Sequence, residues 1–183
     1  MARVLVPIAE GCEELEAVTI IDLLRRAGIE VISAGLVPGP VTCSRKTVII
    51  PDATLAEVMD QDFDMMVLPG GLPGADHLND DPRIHALLQR LSGEEKYTAA
   101  ICAAPKVLAS AGLLQGKTAT AFPGVLDKII PPGANYTGNA IETDGKVITS
   151  RGPGTAMDFA LALIETLEGP DRRKAVEEPL VRS

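Results

Sequence analysis

The sequence predicts an α/β fold, a mostly parallel sheet covered by helices on both faces. Two observations carry that expectation. Strand-like and helix-like segments alternate along almost the whole chain, and the strand-like ones are short, nearly continuous apolar runs. Strands buried on both faces need such runs. At 183 residues the chain is long enough for one substantial core and short for two. Residues 1–183 therefore read as a single domain.

Taken in order, Val4–Ile8 reads as a buried strand. Glu13 to Ala27 reads as a helix stopped by Gly28, because glycine tolerates the left-handed turn that ends helices. Ile29–Ala34 is a second strand, and Val41 to Ile50 a more polar extended segment ended by Pro51. A short helix follows with Thr54 as its N-cap. Met65–Leu68 is another buried strand, running into the turn-rich Pro69–Gly74. Pro82 to Leu91 is a helix with proline in its first turn. Thr98–Ile101 is a strand running into Cys102 and a further helix, and Lys117–Phe122 is a strand. Asp144-Gly145 between Ala140–Thr143 and Lys146–Ser150 signals a two-residue hairpin. Gly152-Pro153-Gly154-Thr155 opens a helix to about Leu167. The last dozen residues fit either a short packed helix or a loose tail.

In such sheets ligands gather beyond the carboxyl ends of the strands. Three loops fall there: Ala9–Cys12, Pro69–Gly74 and Cys102–Pro105. A net charge of -8 and a pI near 4.8 exclude the basic face that nucleic acid or an anionic membrane needs. No apolar run approaches the roughly 18 residues of a membrane span, and no leader is expected at the N-terminus. The three cysteines cannot all pair within one chain and fit no zinc spacing. They predict free thiols in a reducing cytoplasm. Two histidines exclude a histidine-rich metal site.

Cys102 stands at the corner between strand and helix. Such a corner is expected to expose the side chain and aim backbone N–H groups at it, and a helix N-terminus favours thiolate. The small Ala103 and Ala104 would let a reactant approach, and their amides could hold an oxyanion. No His, Asp or Asn adjoins Cys102, so an acid–base partner must come from elsewhere. Glu13 and Glu14 read as ordinary helix-dipole partners. Glu16 differs, because helical spacing places it with Ile20, Leu23, Leu24 and Ala27 on the apolar stripe. A carboxyl there loses solvation, its pKa rises, and it can donate a hydrogen bond or move a proton. Cys12 and Cys43 read as inert buried hydrophobes. Gly70-Gly71 is either a plain tight turn or a bare loop whose amides face the site. The Gly152–Thr155 stretch reads as a bend and cap, His85 as solvated, His77 as a distant possibility, and Arg45 as an exposed cation.

Four segments, Gly11-Cys12-Glu13-Glu14-Leu15-Glu16, Val67-Leu68-Pro69-Gly70-Gly71, Ala99-Ala100-Ile101-Cys102-Ala103-Ala104-Pro105 and Thr149-Ser150-Arg151-Gly152-Pro153-Gly154-Thr155, together resemble the ThiJ/PfpI superfamily. Within it they look like the branch of the Parkinson's-disease-associated deglycase and its bacterial YajL-like relatives. The resemblance implies a flavodoxin-like three-layer sandwich that forms a homodimer, with no metal and no organic cofactor. It implies that Cys102 is the nucleophile, Glu16 its protonated acid partner, and the Gly71 and Ala103 amides an oxyanion pocket. Gly70, Arg45 and Phe122 would line the substrate site, Arg45 reaching it across the dimer interface. Arg151 matches a structural position. Where several members carry a histidine near the cysteine, this chain has Phe122, which cannot shuttle protons. Ala103 replaces the histidine of the protease-like members, which counts against a peptidase.

Two functions follow from the resemblance. One is an enzyme acting on glyoxal, methylglyoxal or early glycation adducts. The other is an oxidative-stress sensor or redox-regulated chaperone that uses oxidation of Cys102.

Overall fold

The structure is a computed structural model that describes residues 1–183. Its elements run β1 (Arg3–Ile8), α1 (Glu14–Arg26), β2 (Glu30–Gly35), β3 (Val41–Thr42), β4 (Val48–Ile49), β5 (Ala53–Thr54), α2 (Leu55–Val58) and β6 (Met65–Leu68). They continue with α3 (Gly74–Asp80), α4 (Pro82–Gly93), β7 (Tyr97–Ile101), α5 (Pro105–Ser110), β8 (Thr118–Ala119), β9 (Asn135–Tyr136), β10 (Ile141–Asp144) and β11 (Val147–Ser150). Helices α6 (Ala156–Glu168) and α7 (Pro170–Glu177) close the chain. Seven strands form one sheet in the order β10-β11-β7-β6-β1-β2-β5. Only β10 runs antiparallel to its neighbour, as the hairpin partner of β11.

The alternation of side chains along each strand divides the core in two. On one face Val4, Val6, Ile8, Val67 and Ile101 pack with Ile20 and Leu24 of α1 and Phe159 and Leu163 of α6. On the other, Leu5, Met66, Leu68 and Ala100 pack with Leu55 of α2, Leu87 of α4 and Leu108 of α5. Three layers result. This is the flavodoxin-like α/β sandwich, and the sheet and most elements lie where the sequence pattern places them.

Local chemistry explains the boundaries. The Glu13 side chain caps α1 by accepting the Leu15 N–H at 3.2 Å, and Gly28 ends it at φ 80. Thr54 is the N-cap of α2 as expected, and Glu57 completes the cap, its carboxylate accepting both the Thr54 N–H and its hydroxyl. Gly145 turns the β10–β11 hairpin at φ 59.

Three expectations need correction. Val41 to Ile50 is not one extended segment but an antiparallel β3–β4 hairpin. Its turn is closed by Lys46 N–H to Cys43 C=O and Cys43 N–H to Thr47 C=O, with Lys46 at φ 74. Lys117–Phe122 contributes only β8, paired with β9 outside the main sheet. Beyond β8 the backbone bonds elsewhere: Thr120 N–H to the Thr149 hydroxyl and Phe122 N–H to the Cys102 carbonyl. The turn-rich segment after β6 leads directly into α3, which its glycines and prolines concealed. The C-terminal alternative resolves as a helix, since α7 buries Val176 and Arg173 pairs with Glu165 of α6.

Candidate active site

The site is assembled from three loops at the carboxyl ends of β1, β6 and β7. Cys102 directly follows β7 and sits at φ 64. A non-glycine residue there costs roughly 1–3 kcal/mol and persists only where its surroundings impose it. They do so here: Cys102 N–H bonds Ser150 C=O at 3.0 Å, Phe122 N–H bonds Cys102 C=O at 2.8 Å, and Ala104 N–H bonds Ile101 C=O at 3.0 Å. The Ser150 hydroxyl in turn bonds the Thr155 hydroxyl at 2.6 Å. The Gly152–Thr155 bend thus anchors the strand that holds the elbow, a support role that its residues alone do not reveal.

The elbow does not expose its thiol, contrary to expectation. Cys102 is 8% exposed, because the Gly70-Gly71 loop and the N-terminal turn of α1 close over it. Gly70 lies against both partners: a Cβ there would fall 2.7 Å from Cys102 Cβ, 2.7 Å from Ile101 O and 2.8 Å from Glu16 Oε1. Gly71 has φ 89, and a Cβ on it would meet Glu13 N at 2.4 Å. Both positions require glycine, for different reasons.

Glu16 is fully buried. Its Oε1 accepts the Gly70 N–H at 3.0 Å, while Oε2 is buried without a nitrogen or oxygen partner. Gly70 therefore spends its amide on Glu16 and holds that carboxyl beside Cys102. Burial pushes the Glu16 carboxyl up to about 7, against the Gly70 and Cys102 hydrogen bonds that lower it. Burial also pushes the Cys102 thiol up, to about 12, with the charge of Glu16 adding to the rise and the Gly71 and Ala103 amides opposing it. The sequence expectation of an ionised thiol at the corner thus omits the larger influences, desolvation and Glu16.

These two rises describe one pair and one proton. With the proton on sulfur, Glu16 is the carboxylate, and its charge opposes ionisation of the thiol. With the proton on Glu16, the repulsion is gone and the carboxyl donates to sulfur, so its influence on the thiol reverses sign. In that form the sulfur faces three donors: the Glu16 carboxyl and the Gly71 and Ala103 amides.

Phe122 is 48% exposed; its backbone is tied to Cys102 and its ring lies beside Gly152, where a Cβ would be 3.6 Å from Phe122 Cδ2. Arg45 stands apart from the pair within this chain. It occupies the β3–β4 turn, where its backbone N–H bonds the Glu14 carboxylate at 2.9 Å. Arg151 donates to Gly138 C=O, a structural contact as expected. His77 bonds Glu10 C=O and His85 bonds Asn79 C=O, and neither enters the site. A cavity of about 520 Å³, lined by Ile8, Glu10, Leu36, Val41, His77 and Arg83 among others, contains neither Cys102 nor Glu16.

Sheet order, a cysteine at a strand–helix elbow and a buried glutamic acid together define a class of α/β proteins built around a cysteine–carboxyl pair. The chain belongs to the DJ-1/PfpI family, whose profile matches residues 2–166. It is 42% identical over 182 residues to the Parkinson disease protein 7 homolog of Danio rerio, spanning 98% of this chain and 96% of that one. It is 38% identical over 179 residues to the glutathione-independent glyoxalase DJR-1.2 of Caenorhabditis elegans, spanning 98% and 95%. The solved structure of oxidized Toxoplasma gondii DJ-1 superposes with a TM-score of 0.95 at 38% identity, covering 100% of both chains. No helix is long and apolar enough to cross a membrane.

Proposed function

We propose that this protein is a cysteine-dependent protective enzyme that converts glyoxal and methylglyoxal to 2-hydroxy acids. The observation that carries the reading is a buried carboxyl raised to about 7 beside a thiol bracketed by two backbone amides. The thiolate attacks the aldehyde carbon and forms a hemithioacetal, its oxyanion held by the Gly71 and Ala103 amides. Glu16 protonates that oxygen, then as carboxylate removes the hydrogen from the same carbon and returns it to the neighbouring one, while the hydroxyl proton passes to the neighbouring carbonyl oxygen. The product is a thioester of the 2-hydroxy acid, which water hydrolyses to release the thiol. The sequence of steps is an internal rearrangement plus one water and uses no cofactor. The naming of a relative as a glutathione-independent glyoxalase supports it. In the related deglycase reading the same thiolate attacks early glycation adducts on protein Cys, Lys or Arg side chains.

The working unit in this reading is a cytoplasmic homodimer in which Arg45 reaches the partner's site. Its side chain is exposed on a hairpin turn, and that placement favours the role. Phe122 shapes the mouth of the pocket and leaves proton transfer to Glu16 and water. The test is 2-hydroxy acid formation from methylglyoxal by the protein and by Cys102→Ser. The substitution should reduce turnover to the uncatalysed rate; equal rates for both, or no turnover by either, would refute the enzyme reading.

A second reading is an oxidative-stress sensor or redox-regulated chaperone. The three donors around the sulfur favour it, because they would equally hold the oxygens of a sulfinate. Mass spectrometry after mild peroxide decides it: Cys102 should gain oxygen well before Cys12 or Cys43, and indiscriminate uptake would end the idea.

A further inference from the structure

Two thiols outside this site lie in direct contact. Cys12 Sγ donates to Cys43 Sγ at 3.6 Å, although 31 positions separate them in sequence. The contact joins two loops already zipped by their backbones: Gly11 N–H bonds Thr42 C=O at 2.9 Å, and Ser44 N–H bonds Cys12 C=O at 2.8 Å. Both thiols are reduced and buried. A disulfide needs sulfurs roughly 2.05 Å apart, so these must approach by about 1.5 Å, a small side-chain movement with nothing between them.

We propose that Cys12 and Cys43 are a second, reversible redox site that closes to a disulfide when the β3–β4 hairpin loosens and a peroxide reaches it. The geometry sets the order of events. Cys43 lies at the hairpin turn and accepts the Cys12 hydrogen bond, so its thiolate attacks the peroxide first. The O–O bond breaks, and Cys43 becomes a sulfenic acid as the first water forms. Cys12 sulfur then attacks Cys43 sulfur, the S–O bond breaks and the second water leaves. The two thiols lose two electrons and two protons, and one hydrogen peroxide becomes two waters. A small-molecule disulfide would reach the same product by two exchange steps, releasing two thiols.

The surroundings make this a slow, guarded reaction. Burial pushes both thiols up, and the carboxylates of Glu13 and Glu14 add to the rise for each, with Glu10 also acting on Cys43. Closed, the pair resists oxidation; opened, it gains water and loses that penalty. The bond would tie the hairpin that carries Arg45 to a loop packed against the Cys102 site. A Cβ on Gly74 would fall 2.6 Å from Cys12 Cα, and one on Gly71 2.8 Å from Cys12 C. Cys12 therefore backs the loop that supplies the Gly71 amide. Oxidation here stiffens the site without touching its nucleophile, and the inference stands whether or not the proposed reaction is correct.

The test is a non-reducing peptide map of folded wild-type protein and of Cys102→Ser, each treated with hydrogen peroxide and then alkylated after denaturation. The expected result is a Cys12–Cys43 cross-linked peptide with a mass loss of two hydrogens, in both proteins, reversed by dithiothreitol. Amide exchange at Gly11 and Ser44 should slow in the oxidised form and recover on reduction. Cys12 and Cys43 both remaining alkylatable, either one oxidised to sulfinate by itself, or a disulfide between two chains would each overturn the proposal. Because the map identifies both sulfurs in the unsubstituted protein, it does not depend on a cysteine variant folding.

Discussion

Glu16 and Cys102 form a buried pair in which each side chain shifts the other's proton affinity. A carboxyl whose pKa rises from 4.5 to about 7 binds its proton more tightly folded than unfolded. It therefore contributes stability that is fully present below about 4.5 and is lost as pH rises through about 7. Glu16→Gln, which cannot ionise, should abolish that part of the pH dependence, read from urea unfolding at pH 5 and pH 8. A slope unchanged in the variant would show that Glu16 is already ionised at low pH. The same substitution separates two tasks at the site. Glutamine can still donate to sulfur, so alkylation of Cys102 by iodoacetamide should persist. It cannot relay a proton, so 2-hydroxy acid formation should fall by about 10²–10⁴. Loss of alkylation in step with turnover would mean that Glu16 only activates the thiol.

At the scale of elements, the loop between β6 and α3 acts as a template. Its two glycines look equivalent in sequence and differ in the structure. Gly71 is needed for a left-handed backbone, Gly70 for close approach to Ile101 and Glu16. Gly70→Ala pushes a methyl group into a backbone carbonyl and a buried carboxyl, an overpacking that costs typically about 1–3 kcal/mol. Turnover should drop alongside stability, since relief comes from moving the Gly70 amide off Glu16 Oε1. Thermal melting together with steady-state kinetics checks this; an unchanged Tm and rate would show that the loop is soft. The β3–β4 hairpin is a second such element. The Glu13 and Glu14 carboxylates accept the Ser44 hydroxyl, and Glu14 also accepts the Arg45 N–H. First-turn acids that read as dipole partners thus also dock a hairpin.

Across the whole molecule, apolar surface is left uncovered on adjoining elements. Leu15 and Val18 of α1 are 50% and 49% exposed, and Val48 and Ile50 on the docked hairpin 57% and 79%. In the dimer proposed above these groups are the expected contact with a second copy of this chain, since contiguous exposed aliphatic surface favours a protein partner. Val18→Asp combined with Val48→Asp should convert the dimer to monomer in sedimentation experiments while leaving the circular dichroism spectrum intact. Wild-type protein that sediments as a monomer would remove this role for the surface, and with it the reach of Arg45 into a neighbouring site.

Short-range pattern in the chain encodes a good part of this architecture. Apolar runs placed the strands of the parallel sheet, Gly28 and Gly145 marked a helix end and a hairpin turn, and helical phase put Glu16 on the buried face of α1. The strand–helix junction singled out Cys102. Folding adds what depends on loops distant in sequence meeting at the sheet's edge. It buried the thiol beneath the Gly70-Gly71 loop, reversing the pKa direction that a helix N-terminus alone suggests. It told Gly70 from Gly71, folded Val41 to Ile50 into a hairpin, and took Lys117–Phe122 out of the main sheet. It also brought Cys12 to Cys43, two thiols that each read as inert when taken singly. The physical reason is common to all of these: desolvation and contact depend on what packs from elsewhere in the chain, and no local periodicity records it.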